Sequence, residues 1–560
     1  MDDILIMNLA SLGCMYILRV FHTVKPLKFR QVFYRVKYAL FSLSQLETKC
    51  LDVTSCDWLW SGKEFNEPSF LSNNKVFFLN LKADIASPKS WNNSAFEKLW
   101  LYNLHYFDDL NAIGSASRKE THFNLMKRWI EENPAVKGNG WEPYPLSLRL
   151  VNWVKWYQRA EIDDSFIIES IALQAQALSK QLEYHILGNH LFANAKALVF
   201  VGCFLEGELG SKYLKLGLKL LDREIPEQFL GDGGHFELSP MYHSILVWDL
   251  LDLINLSQIS KENFLLSRLS SWRSYAIKAL AWLEVMTHND GEVSFFNDAT
   301  IGIAASPIEL KNYAESLGLM TVDNNNRYVL LKDSGYTRIQ NAGYSLWFDH
   351  GEVGPSYLPG HAHADTLSFE LSVGSDRFFV NSGTSLYGLS EERHRQRGTA
   401  AHNTVIVNET DSSEVWGGFR VARRAHVSDY NAVLTDDTVT ISAKHDGYSR
   451  LKGVGFHARK ITASQNSIYI KDTITGGYTS AYSVIHVHPD IKVNVLSDTC
   501  IELVSRTGNL ITFTSPMPVK LEPSSYHPAF GISVPNKKLV IPVHNGSLEV
   551  LIEIKKGFKS

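Results

Sequence analysis

The sequence predicts a multidomain α+β protein in which a helical half precedes a large antiparallel β-sandwich. Three observations lead there. A chain of 560 residues is too long for one ordinary core and long enough for two. From Trp100 to about His288, apolar residues recur every three or four positions, the period of amphipathic helices. After about residue 325 the period becomes two, in short runs rich in β-branched and aromatic residues.

Residues 1–90 form a leader with little regular pattern. Within it, Phe29–Leu46 mixes basic and apolar residues at helical spacing, and Lys75–Asn80 reads as a short strand. Residues 91–325 form the helical domain. Its periodic stretches run from Phe123–Ile130 through Leu146–Arg159 and Leu191–Phe204 to Leu266–His288. Breakers such as Asn133-Pro134, Gly188-Asn189 and Ser239-Pro240 separate them. Helices of this kind pack as a bundle or a ring. Phe295–Asp323 reads as a linker with a partial helix. Residues 326–560 form the sandwich, with strands from Tyr328–Leu331 to Leu548–Ile554 bounded by Gly, Asn, Asp and Ser.

The hydrophobic share of 45% and charged share of 20% are those of a globular protein. A net charge of -4 gives no footprint for nucleic acid or for an anionic membrane. Five scattered cysteines (Cys14, Cys50, Cys56, Cys203 and Cys500) read as thiols rather than a disulfide frame. No apolar run reaches the length of a membrane span. The acidic start Met1-Asp2-Asp3 does not match a secretory signal, so a cytoplasmic location is expected, with the periplasm as the alternative. An atypical export signal or an interfacial helix at Ile4–Val20 stays open. The aromatic share of 12% suits either sugar stacking or cores.

Polar residues concentrate in a few loops. Gly360-His361-Ala362-His363-Ala364-Asp365 places two imidazoles and a carboxylate at the mouth of a strand. That set offers a general base, a metal ligand, or one of each, against a bland reading as a hydrogen-bonded turn. Trp100–Phe107 interleaves aromatics with Asn103 and His105, a sugar platform or a core helix start. Gly188-Asn189-His190 puts an amide and an imidazole at a helix N-terminus, where an anion can bind; Asn189 also reads as a plain N-cap. Gly233–His243 gathers His235, Glu237, Tyr242 and His243 at another helix start. Arg393–Val405 is a basic loop ending in His402, and Asn381 stands where an apolar strand ends. A basic run is either a solvated face or a contact for an acidic substrate.

Taken in this order, the loops resemble the heparinase II/III family of polysaccharide lyases, most specifically through GHAHAD, VNSGT and HNTV within Gly360–Val405. The resemblance extends from about Trp100 to the C-terminus. It implies an incomplete (α/α) toroid that is the catalytic domain, followed by an antiparallel β-sandwich. The implied activity is β-elimination at a uronic acid in a glycosaminoglycan-like acidic polysaccharide or oligosaccharide, with a C4–C5 double bond in the product. On this resemblance Tyr242 is the general acid, and the base for one C5 epimer once positive charge lowers its pKa. His361 is the base from the other face, and Asn189 or His190 neutralises the uronate carboxylate. Asn103, His105, Glu237 and Arg397 are the implied substrate contacts. A related set of proteins is associated with capsule or O-antigen assembly.

The resemblance also implies one structural divalent metal, zinc rather than calcium, on His363, Asn381 and His402, and no organic cofactor. Asn381 departs from the pattern, which has an aspartate there, so the site is weak, completed by Asp365, or lost. Two other readings compete: a metal-assisted glycan hydrolase using His361, His363, Asp365 and His402, and a non-catalytic glycan-binding or assembly protein. Sugar identity, linkage, endo or exo action and oligomeric state are not legible in the sequence.

Overall fold

The computed structural model describes residues 16–41, 46 and 53–555, apart from 73, 161, 163, 321–323 and 342. Most of the Ile4–Val20 stretch, with Cys14 and Cys50, falls outside the described residues.

Residues 16–24 are helical and are followed by helix α1 (Phe29–Leu40). A three-stranded antiparallel sheet spans Phe70 to Asp84. The helical domain then runs through α2 (Lys98–Tyr106), α3 (Lys119–Glu132), α4 (Pro143–Ala160), α5 (Ser165–Lys180), α6 (Gly188–Phe204), α7 (Gly207–Gln228), α8 (Pro240–Ser260) and α9 (Leu269–Val285). They form an incomplete (α/α) toroid. Helix α6 lies inside it, with every residue buried except His190. A helix apolar on all sides belongs inside, where its neighbours supply the second wall that an amphipathic helix finds in water.

Among its described residues, 295–320, the Phe295–Asp323 segment is packed rather than slack. Phe295, Phe296 and Ala299 are fully buried, and Asn297 and Asp298 between them are buried with hydrogen bonds satisfied. Helix α10 (Pro307–Ser316) follows, started by a capping box between Ser306 and Glu309. The alternation of aromatic and polar residues there gave no helical or strand period, because the segment is pinned from both sides instead.

The β half is a two-sheet sandwich. One sheet has nine strands; its middle is formed by β-strands Tyr336–Gln340, Tyr344–Asp349, Phe369–Val373 and Asp376–Phe379, then Ala481–Val487. The other has eight, from Val427–Leu434 at one edge to Lys492–Ser497 at the other. Phe348, Phe369, Ile461, Ile470, Phe513 and Ile552 meet in the core between them. Within the eight-stranded sheet burial alternates strictly along Val439–His445, because the outer face there meets water. Tyr344–Asp349 and Phe369–Val373 are buried along their whole length. Their outer face is roofed by the toroid: Trp347 Nε1 donates to the Val285 carbonyl at 2.6 Å, and His288 Nε2 to Glu370 at 2.7 Å. Trp282, Phe296 and Tyr336 fill the seam. The two halves are therefore packed through a largely apolar contact that also holds the buried His288–Glu370 pair, and the polar loops cluster at its edge.

Candidate functional site

Three chain segments bring the site together. The first is the start of α6. Leu187 and Gly188 both take positive φ, 74° and 57°. A Cβ on Gly188 would stand 2.7 Å from Glu237 Oε1 and 2.3 Å from Leu358 Cδ2, so only glycine admits that carboxylate. Glu237 Oε1 accepts from the Asn189 backbone N–H at 3.2 Å and from Asn189 Nδ2 at 2.9 Å. A carboxylate belongs at a helix N-terminus, where N–H groups are unpaired. The pairing leaves Asn189 Oδ1 buried with no partner.

The second segment is the start of α8. Ser239 caps it, accepting from the Tyr242 N–H at 3.2 Å, with Pro240 in the first turn. The same Ser239 hydroxyl donates to the Asp298 carbonyl at 2.5 Å. Tyr242 is thereby tied to the third segment, residues 295–299 together with the sandwich loops that meet them.

Asp298 is the hub of that third segment. His361 Nδ1 donates to Asp298 Oδ2 at 2.9 Å and His363 Nε2 donates to Oδ1 at 2.8 Å. Arg393 forks onto both oxygens, with Nη2 at 2.7 Å from Oδ2, and Thr384 adds a hydroxyl at 3.2 Å. Burial pushes the Asp298 carboxyl up, but Arg393, His361 and His363 outweigh it and hold it well below the usual carboxylate range. A fixed anion therefore sits beneath both imidazoles.

With Nδ1–H committed to Asp298, His361 turns Nε2 toward Glu237 Oε2, 3.5 Å away. Its ring stacks on Tyr242, centroids 3.8 Å apart at 29°. The Tyr242 hydroxyl lies 2.9 Å from that of Tyr387. Burial, and then Tyr387, raise the Tyr242 hydroxyl pKa well above 10, so the phenol keeps its proton. Asn189, His190, Glu237, Tyr242, His361 and Tyr387 all line one cleft of about 1340 Å³ between toroid and sandwich.

His190 is held differently. Its Nδ1 donates to Glu183 Oε1 at 2.8 Å and its ring packs on Tyr144 at 4.3 Å. Burial pulls its pKa down, and Glu183 overrides this to raise it. An imidazole that is readily protonated at the cleft wall suits an anionic ligand.

The implied metal ligands lie behind the cleft. His363 Nδ1 and His402 Nε2 are both buried without partners. The opposite nitrogen of each ring is anchored, His363 on Asp298 and His402 Nδ1 on Asn381 Oδ1 at 3.1 Å, with ring centroids 5.2 Å apart. Burial keeps both neutral, His363 near pKa 4 and His402 well below the ordinary value. Two neutral imidazoles held from behind fit a divalent ion, and the carboxylate–histidine pairing of Asp298 and His363 is the arrangement metals favour. Asn381 stands as the support of His402 rather than as a third donor, since its oxygen is spent on Nδ1–H. Asp365 is occupied by the Asn297 N–H at 3.2 Å. Among the described residues no three His, Cys, Asp or Glu side chains gather as a metal-holding group.

Not every residue singled out from the sequence reaches the cleft. His105 is completely buried, bonded to the Trp91 carbonyl at 2.9 Å and accepting from Trp129 Nε1 at 3.0 Å. Of the Trp100–Phe107 aromatics, Phe107 is core, whereas Trp100, Tyr102 and Tyr106 reach the cleft wall. Asn103 donates back to the Leu99 carbonyl one turn earlier, at 2.8 Å. Arg397 is buried and donates to the carbonyls of Ala362 and Gly417, which braces the His361–His363 loop instead of contacting a ligand. Asp298, Tyr387 and Arg393 were not singled out. The signal for Asp298 was an ionisable residue enclosed by Phe295, Phe296 and Ala299, a setting that a charge tolerates only when paired.

Comparison with known proteins adds the following. A family model described as heparinase II/III N-terminus matches residues 70–328, and one described as heparinase II/III-like, C-terminal, matches residues 323–555. A heparin-sulfate lyase of Bacteroides stercoris is 23% identical over 327 residues, which is 50% of this chain and 48% of that protein. The heparin-sulfate lyase of Bacteroides thetaiotaomicron is 24% identical over 350 residues, 53% of this chain and 49% of that protein. The chain thus spans about half the length of these two curated relatives. The FtsZ-localized protein C of Caulobacter vibrioides is 24% identical over 443 residues, 73% of each chain. Among solved structures, a heparinase III has a TM-score of 0.66 at 18% identity, covering 95% of this chain and 89% of that one. The heparan sulfate lyase HepC of Pedobacter heparinus has a TM-score of 0.56 at 15% identity, covering 95% and 88%. At these identities the structures establish the fold.

Proposed function

The chain belongs to the heparinase II/III family, and from that premise we propose that it is a polysaccharide lyase that cleaves an acidic, uronate-containing glycan by β-elimination. The observation that carries this reading is the stacked pair of His361 and Tyr242 over the buried anion of Asp298, facing Asn189 across one cleft. Two curated relatives are named heparin-sulfate lyases, and a glycosaminoglycan-like polymer, with capsule and O-antigen polysaccharides in the same acidic class, is the substrate we assign.

The steps follow from the side chains. The C5 proton of a uronate is weakly acidic until its carboxyl group is neutralised. We assign this to the His190 imidazole, whose pKa Glu183 raises and which can donate a hydrogen bond to the carboxylate, with the Asn189 amide beside it. His361 Nε2 takes the C5 proton. The electron pair forms the C4–C5 double bond, the C4–O bond breaks, and Tyr242 gives its hydroxyl proton to the leaving oxygen. The tyrosine's environment opposes its service as a base for the opposite epimer, so the base role is assigned to His361 alone. A divalent ion on His363 and His402 would supply a structural clamp behind the loop and takes no part in these steps.

The hydrolase reading is the weaker one, because of its four residues, His361, His363, Asp365 and His402, only His361 lines the cleft. The test is ultraviolet absorbance of the conjugated uronate on mixing the protein with a panel of uronate-containing polysaccharides. Absorbance should rise with the wild-type chain and not with Tyr242→Phe. No rise on any heparin-, chondroitin- or capsule-type member of the panel would count against elimination.

A further inference from the structure

Helix α1 turns its polar stripe inward. Gln31 is fully buried and its Nε2 donates to the carbonyls of Ile186 at 3.2 Å and Tyr357 at 3.1 Å. Tyr34 packs on Tyr184 with centroids 4.6 Å apart, and the Tyr38 hydroxyl donates to the Leu182 carbonyl at 2.7 Å. Those three positions, spaced three and four apart, define the face that meets the protein. The opposite stripe of Phe29, Val32, Phe33, Val36 and Leu40 is left exposed, Phe29 at 82% and Leu40 at 70%. The helical residues 16–24 add Ile17 at 68% and Phe21 at 56%. A surface helix in water does the reverse, and an apolar face of this size marks a contact.

The charge of the stretch identifies the contact. Residues 16–41 hold Arg19, Lys25, Lys28, Arg30, Arg35 and Lys37 and no Asp or Glu, in a chain whose net charge is -4. The whole-chain average conceals this basic segment. Among the described residues no helix is long and apolar enough to cross a membrane. We propose that residues 16–41 form an in-plane anchor that lies in the headgroup layer of a bilayer containing anionic lipids. The Phe29–Leu40 stripe enters the acyl boundary and the exposed Lys25 and Lys37 meet lipid phosphates, whereas Lys28 is paired with Glu227 and Arg30 packs on Tyr184. A second copy of this chain is the poorer occupant, since an isologous contact would set six cations against six.

The anchor also borders the cleft. Tyr16, Val20, Val24 and Leu27 line the same cavity as His361 and Tyr242. With the stretch on a membrane, the cleft opens at the bilayer surface, within reach of a glycan carried on a lipid. That consequence rests on the proposed lyase reading; the membrane contact does not.

Co-sedimentation of the full chain with lipid vesicles tests it. Vesicles of phosphatidylcholine with added phosphatidylglycerol should pellet the protein at moderate ionic strength, and vesicles of phosphatidylcholine alone should not. Raised salt should release it. Each of Lys25→Ser and Lys37→Ser should weaken partition about five-fold. Phe29→Ser with Phe33→Ser should abolish it while the circular dichroism spectrum stays unchanged. A wild-type chain that stays in the supernatant with anionic vesicles overturns the proposal. So does pelleting that the phenylalanine variant retains in full. Light scattering that shows a dimer dissolved by the same variant, without vesicle binding, would assign the face to a second copy and overturn it equally.

Discussion

The rings of Tyr242 and His361 stack with centroids 3.8 Å apart, although one comes from the toroid and the other from the sandwich. The contact exists because each partner is tied to Asp298: His361 through Nδ1, Tyr242 through the Ser239 cap that donates to the Asp298 carbonyl. The site therefore depends on the seam between the two halves. Changes at its edge should act on turnover through alignment.

Tyr242→Phe removes the proton donor and keeps the ring that stacks on His361. Turnover should fall by about 10²–10⁴-fold, the usual contribution of a general acid, with the melting temperature nearly unchanged. Steady-state rates and a thermal melt check both; near-normal turnover would remove the tyrosine from the reaction.

Asp298→Asn keeps volume but removes the anion under Arg393, His361 and His363. A buried cation left unpaired costs about 3–5 kcal/mol, so a clear drop in unfolding free energy is expected. Turnover should fall more than affinity, because His361 loses the partner that fixes its tautomer. A variant with wild-type stability would contradict the hub assignment.

Zinc added to chelator-treated protein should raise the thermal midpoint by ligand linkage, and His402→Ala should erase that rise. Turnover should survive chelation, since the reacting groups do not use the ion. An unshifted midpoint would remove His363 and His402 from metal binding. Turnover lost on chelation and restored by zinc would favour hydrolysis.

Acid should destabilise the sandwich through Asp472. This buried carboxylate receives Arg459 Nε at 2.8 Å and His457 Nε2 at 2.9 Å. Burial raises its pKa, yet Arg459 and His457 prevail and hold it below the unfolded value. The unfolded chain thus binds this proton first. The stabilisation is complete above about pH 4 and is lost as pH falls below it. Urea unfolding between pH 6 and pH 3 should show the loss, and Asp472→Asn, itself strongly destabilised, should show a shallower slope. An equal slope in both would exclude Asp472 as its source.

Much of the fold was legible because its signals are periodic. Helix α6 read as helix from its spacing, and the last strand, Ser547–Lys555, from the β-branched and apolar run Leu548–Ile554. The site was legible where unusual residues cluster at element starts, as in Gly188–His190, Gly233–His243 and Gly360–Asp365. Asp298 was not, because its meaning lies in partners 63 to 95 positions away in sequence. His105 misled for the complementary reason: an imidazole among aromatics reads the same in a sugar platform and in a core, and only the carbonyl of Trp91 decides. Asn381 read as a weakened ligand and sits instead behind His402.

The central claim is that the glycosidic bond is broken without water. The most direct measurement is the mass of the products formed from a defined uronate-containing oligosaccharide. Elimination requires the fragment masses to sum to that of the substrate, with the fragment carrying the new uronate end one water lighter than its hydrolytic counterpart. Fragments that together exceed the substrate by one water per cut would show hydrolysis and contradict the account.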